Sequence, residues 1–182
     1  MKTFDVSIRG ITPLLMNKPP EYEGDSSISI KNPNIEASKD IKNKIYSSDG
    51  VVYQPATHLR GSLVNAGKDL RVKGKGKATY SKLFASMVMI EPEAIEHKFT
   101  DFDVHVVRTV NPNTKGQNMT KRPRLKKWEL DFEMILDDEI PEDVAKEALD
   151  RAGKYVGIGD WRPSTKGVHG KFQVVKFHEN GK

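Results

Sequence analysis

The 182-residue sequence contains no cysteine, which excludes disulfides and thiolate metal sites and agrees with a cytoplasmic location. It also lacks any run of about eighteen apolar residues, so no segment reads as a membrane-spanning helix. The opening residues MKTFDVSIRGI carry no apolar leader core and read directly as a strand. Aromatic residues are scarce, at 8%, and apolar residues reach only 36%, which predicts a small core under a polar surface. The signatures of common chemistries are missing too. His58, His97, His105, His169 and His178 show no HExxH or H-x-H spacing, so no metal is expected. Gly74-Lys-Gly76 and Gly157-Ile-Gly159 lack the further glycine and GK[ST] end of nucleotide loops, and no cofactor is predicted.

Acid is absent from two places in particular. Residues 71–82 carry Arg71, Lys73, Lys75, Lys77 and Lys82 without an acid, and residues 115–127 carry Lys115, Lys121, Arg122, Arg124, Lys126 and Lys127 likewise. By contrast, residues 137–143 read DDEIPED. The net charge of +5 is therefore gathered in segments rather than spread. A third basic segment lies near the C-terminus, where Gly153, Gly157, Gly159, Gly167 and Gly170 are interleaved with Lys154, Tyr155, Trp161, Arg162, Lys166 and Lys171. Such glycine density predicts tight turns or close backbone approach, and the cations predict an anionic partner.

Hydrophobic periodicity orders the chain. Phe4, Val6 and Ile8 alternate as a half-buried strand, followed by a long polar insertion over residues 17–50. Val51 to Tyr53 reads as a short strand. A helix follows, with Thr57 as its N-cap and Leu59, Leu63, Ala66 and Leu70 on one face. Tyr80 to Ala85 reads as a short helical turn and Met87 to Ile90 as a buried strand. Phe102 to Val110 and Leu125 to Leu136 both alternate and are expected to pair as a hairpin, its tip the basic segment 111–124. Trp128, Leu130, Phe132 and Met134 share the inner face.

Pro141 starts a second long helix, with Val144, Ala148, Leu149 and Ala152 inward and Gly153 in its C-cap region. Phe172 to Phe177 carries apolar residues on both faces and is expected in the middle of the sheet. Without its insertions the order is β, α, β, β, α, β. That predicts an α+β, ferredoxin-like (RRM-like) domain over 1–182, with insertions at 17–50 and 102–127. The helix-free sheet face of such a fold is a common RNA platform.

Three segments resemble one family. IRGITPLLMN resembles the R-x-x-T-P-L first strand of the repeat-associated mysterious protein (RAMP) superfamily. DGVVYQPATHLRGSLVNAG resembles its G-x-x-Y-I-P-x-S-S-L-K-G helix opening, with His58 and Arg60 where small polar and Lys residues are usual. GIGDWRPSTKGVHGKFQV resembles its diagnostic glycine loop, closing here as G-V-H-G. Proteins of this superfamily are backbone and guide-processing subunits of CRISPR complexes.

The resemblance implies a thumb-like hairpin over a bound strand, and assembly side by side or within a larger nucleoprotein complex. It implies single-stranded RNA or DNA as partner, held with little sequence preference by Arg60, Gly61, Arg71, Lys73, Lys75, Lys77, Lys121, Arg122, Arg124, Gly157, Gly159, Trp161, Arg162 and Lys166. No catalytic residue is assigned; His58 is the one candidate for a metal-independent endoribonuclease, and Asp25, Asp40 and Asp49 lie in the insertion where some relatives cut RNA. A protein of a virus or mobile element that imitates a backbone subunit is the remaining alternative.

Overall fold

Alternation at the N-terminus decides where the central sheet lies. In the computed structural model, which describes residues 1–19, 41–110 and 115–180, Lys2–Gly10 forms β1 and buries Phe4, Val6 and Ile8 almost completely. The strand is flanked by Glu129–Leu136 (β9) and Phe172–Glu179 (β10), while Val88–Glu91 (β5) extends the sheet beyond β9. The order is β10-β1-β9-β5, antiparallel throughout. Phe132 of β9 stands opposite Val6, and Ile90 of β5 opposite Met134. Strands and helices together make an α+β fold.

One face of this sheet is covered by helices Ala56–Ala66 (α1) and Glu142–Arg151 (α3). Leu59, Leu63 and Ala66 from α1 join Ala145, Ala148 and Leu149 from α3 in one core with the inward strand residues. A shorter helix, Ser81–Met87 (α2), packs Phe84 against the end of α1. Small strands complete the periphery: Leu14–Leu15 (β2), Ser47–Ser48 (β3), Val51–Pro55 (β4) and Ala94–Glu96 (β6). Of the predicted insertion 17–50, residues 20–40, with Asp25 and Asp40, lie outside the described residues, as do 111–114 at the hairpin tip. No helix among the described residues is long and apolar enough to cross a membrane.

Four sequence expectations need correction. The hairpin is Phe102–Val110 (β7) with Gln117–Leu125 (β8), and β2 adds to β8 to make a separate three-stranded sheet. The segment 125–136 is thus not one strand. Its inward residues change phase, from Leu125 to the even-numbered Trp128, Leu130 and Phe132, and the exposed Lys126-Lys127 step makes the change. Trp128 wedges under Gly10, where any Cβ would lie 2.2 Å from its Nε1, and donates that N–H to the Thr12 carbonyl at 2.9 Å.

β10 is an edge strand, not a central one. Its two apolar faces arise from a bulge: Ile8 pairs with Val174 but Ser7 pairs with Lys176, so Val175 is the extra residue and points to solvent. Beyond the bulge, Phe177 returns inward and stacks on Phe4 at 4.8 Å.

Thr57 does not cap α1. The β4–β6 pairing runs to Pro55, and the helix leaves the strand directly, with the Ala56 N–H donating to the Glu93 carbonyl at 2.8 Å. Nor does Gly153 end α3. The helix continues as a wide turn over Ala152–Val156, and Gly157, at φ 72°, ends it. Gly153 instead lets the helix close on β10, since a Cβ there would sit 2.2 Å from the Phe172 carbonyl.

Candidate nucleic-acid interface

The direct strand-to-helix turn from β4 into α1 puts Gln54 and His58 four residues apart, on one side of the turn. Gln54 is buried, and its Nε2 hydrogen-bonds His58 Nδ1. Used as an acceptor there, Nδ1 leaves the imidazole proton on Nε2. Burial, reinforced by the nearby Arg162 guanidinium, holds the His58 pKa below its ordinary value, so the ring is neutral. Tyr46 packs its ring edge-on at 5.3 Å, and burial raises its phenol pKa. These side chains line a cavity of about 150 Å³ whose other wall is Gly159, Asp160 and Arg162.

That wall is the glycine loop, and its glycines answer to the protein itself. Gly159, at φ 78°, lies so close to β2 that a Cβ would stand 2.6 Å from the Leu15 carbonyl. Gly170, at φ 69°, would place one 1.8 Å from the Ile158 carbonyl. The buried Ser62 hydroxyl of α1 donates to the Gly157 carbonyl at 3.0 Å, and the Asp160 N–H donates to Leu15 at 2.8 Å. The loop is therefore a fixed wall sewn to α1 and β2, and close approach by its glycines is spent on internal packing.

Trp161 and Lys166 face outward, while Arg162 is half-buried between the cavity and solvent. Arg162 donates to the Gly159 carbonyl and the Ser164 hydroxyl, both uncharged, so its positive charge is not cancelled by these bonds. Trp161 is 39% exposed at φ 50°, and Lys166 is exposed at φ 65°, closing the short turn Pro163–Thr165.

The hairpin meets this wall through one ion pair and is braced within itself by others. Arg122 donates Nε to the Asp160 carboxylate at 2.7 Å. Arg124 holds Asp103 with two nitrogens, at 2.7 and 2.6 Å, and Lys126 approaches the same carboxylate at 3.1 Å. Those partners hold the Asp103 pKa well below the usual carboxylate range. Lys44 donates to the Lys121 carbonyl at 3.0 Å, and burial with the Arg122 charge lowers its pKa. His105 and the buried His169 pack edge-on at 5.3 Å across the same junction.

The structure thus gathers His58, Gly157, Gly159, Trp161, Arg162 and Arg122 around one region, with Arg124 and Lys121 on the adjoining strand. Arg60 turns the other way and donates to the Ala85 carbonyl of α2. Gly61 lies on the exposed side of α1 with open space around it. Arg71, Lys73, Lys75 and Lys77 form an exposed turn beyond the other end of the helix, whose eleven residues span about 16 Å. Asp49 sits at φ 50° in the exposed β3–β4 turn. Sequence reasoning missed Gln54, Tyr46 and Asp160; only the four-residue spacing of Gln54 and His58 offered a signal.

The helix-free sheet face is not a basic platform. Asp5, Glu91, Glu93, Asp131 and Glu133 line an open cavity of about 640 Å³ there, with Ser7 and Lys176. Lys176 bonds Asp5 at 3.1 Å, and Lys98 bonds Asp131 at 2.7 Å. The acid excess would repel phosphate.

No family model matches the chain, and no curated protein matches it in sequence. Solved structures do match in fold. A chain from the cryo-EM structure of the Type III-B Cmr-beta bound to cognate target RNA superposes with a TM-score of 0.52 at 14% identity, covering 98% of this chain and 61% of that one. A chain of a Type IV-B CRISPR complex gives 0.48 at 11% identity, covering 99% and 91%. The present chain therefore spans about three fifths of the Cmr-beta chain's length.

Proposed function

We propose that this protein binds single-stranded nucleic acid, RNA in particular, as a RAMP-type subunit of a CRISPR-like nucleoprotein assembly. The β10-β1-β9-β5 order with both long helices on one face supports reading the core as ferredoxin-like. The observation that carries the reading is the convergence of α1, the glycine loop and the hairpin base at one basic junction, opposite an acidic sheet face. Arg162 and Lys166 neutralise phosphates there, and Trp161 offers a ring for stacking. Arg122 and Arg124 act chiefly as braces for the hairpin, because each already holds a carboxylate. Lys73, Lys75 and Lys77 extend the electrostatic track beyond the far end of α1. The match to a chain of an RNA-bound complex agrees with this reading.

A cleavage reading draws on one observation, the edge-on packing of His58 and Tyr46 in one cavity, and it requires His58 to give up its Gln54 hydrogen bond before Nδ1 can take a proton. Incubating the protein with labelled RNA separates the two: His58→Ala abolishes product formation if this pair cuts, and leaves nothing to abolish if the protein only binds. For binding itself, gel shifts with single strands of RNA and DNA at two salt concentrations are the test. Retarded complexes that weaken with salt are expected; free migration of both strands at low salt overturns the proposal.

A further inference from the structure

Helix α3 does not simply stop; its last turn is widened. Tyr155 lies seven residues after the fully buried Ala148, so an unbroken α-helix would return it to within about 20° of that inward position. The turn Ala152–Val156 carries one extra residue instead, with the Gly157 N–H donating to the Ala152 carbonyl at 2.7 Å. Val156 takes the inward place at 7% exposed, and Tyr155 swings out to 57%. A large ring that helical phase would bury is thereby held in solvent.

The turn is fixed on both sides. Gly153 lies against the Phe172 carbonyl of β10, and the Ser62 hydroxyl of α1 donates to the Gly157 carbonyl at 3.0 Å. Charge is set beside the ring as well. The other cations of α3 are paired along the helix, Lys146 with Asp150 and Arg151 with Glu147. Lys154 instead stands with its ammonium 5.2 Å from the Tyr155 ring centroid. The turn leads straight into the glycine loop, where Trp161, six residues on, is a second exposed ring.

We propose that Lys154 and Tyr155 form a base-stacking subsite for single-stranded nucleic acid, an inference that rests on the nucleic-acid reading above. One face of the ring carries the Lys154 ammonium, and the other receives the flat face of an unstacked base. The ammonium neutralises a phosphate beside that base. Stacking uses a π-face that every base has, so the subsite adds affinity without adding a sequence preference. Tyr155 and Trp161 then hold two bases of one strand along the same fixed segment.

The test is fluorescence anisotropy with a labelled twelve-nucleotide RNA. Tyr155→Ala and Tyr155→Leu are each expected to weaken binding about five- to tenfold, while Tyr155→Phe stays within about twofold, because the ring rather than its bulk holds the base. Neither Tyr155→Ala nor Tyr155→Leu changes the salt slope, whereas Lys154→Ala makes it shallower by about 0.7, one phosphate contact. The ring is exposed, so all these variants are expected to melt with the unaltered protein. A second measurement uses the unaltered protein: the Tyr155 ring signals in NMR move upfield with the RNA and stay in place with an abasic strand of equal length. Full affinity in the Ala or the Leu variant, or ring signals indifferent to the RNA, overturns the subsite while strand binding itself stands. If the unaltered protein binds no strand at low salt, the nucleic-acid reading falls and the subsite with it.

Discussion

Arg122 of the hairpin and Asp160 of the glycine loop form a half-buried ion pair at 2.7 Å, joining two segments 38 residues apart in the chain. The Asp160 backbone is itself held by Leu15 of β2, so the contact anchors a protruding strand to a fixed wall. Neither side chain is more than about a quarter exposed, which makes this pair stronger than the surface bridges elsewhere. Asp160→Ala is expected to cost about 1–2 kcal/mol in urea unfolding. It should also speed amide exchange in β8 without changing exchange in β9. Unchanged β8 protection would mean that the hairpin does not depend on this contact.

Two glycines make opposite predictions. Gly61 faces open space on the exposed side of α1, so Gly61→Ala is expected to stabilise the protein by about 0.5–1 kcal/mol, the helix-propensity difference. Gly170 has φ 69° and a carbonyl 1.8 Å from any Cβ, so Gly170→Ala is expected to destabilise by about 2 kcal/mol or more. Thermal melts of the two variants check both signs. If a strand runs against α1, the Gly61 variant also binds it less well despite melting higher. That split would mark Gly61 as a contact position rather than a structural one.

Much of the fold was legible in period-two and helical patterns, because burial on one face leaves a direct trace in sequence. Phe4, Val6 and Ile8 fixed β1, and the Val144–Ala152 stripe marked α3. Three features left misleading traces. A bulge at Val175 made an edge strand look central. A phase change between Leu125 and Trp128 joined two strands into one apparent run. Gly153 looked like a cap, although its role is the approach of Phe172. Basic residues were visible in the site region, but their pairing was not. Asp103 and Asp160 lie 21 and 38 residues from the arginines they neutralise, and no local pattern announces such partners.

His97 gives a pH prediction. Both ring nitrogens are buried without partners beside Trp128, and burial lowers its pKa to about 4. In the unfolded chain the value returns to about 6.5, so between these values the unfolded state binds the extra proton. Stability from this group is therefore full above pH 6.5, falls as pH drops toward 4, and changes no further below that. The total is about 3 kcal/mol. His58 and His169 shift in the same direction and add to the slope. Urea titrations from pH 7.5 to 4.5 should show the decline, and His97→Leu should flatten it. An equally steep decline in that variant would remove His97 as its source.

The acidic sheet face offers a contrasting surface. Glu133→Gln, on the face away from the loop, is expected to change strand affinity by less than about twofold, since charges separated by more than a Debye length are largely screened. A large loss of affinity in this variant would place the strand on the sheet after all.

The salt dependence of binding tests the central claim most directly. The logarithm of the association constant for a single-stranded RNA, plotted against the logarithm of salt concentration, should fall with a slope of about −2 to −3, corresponding to three or four neutralised phosphates. Arg162→Ala should weaken binding and make the slope shallower by about 0.7, one phosphate contact. A slope near zero, no binding at about 50 mM salt, or an Arg162→Ala slope equal to that of the unaltered protein would contradict the account.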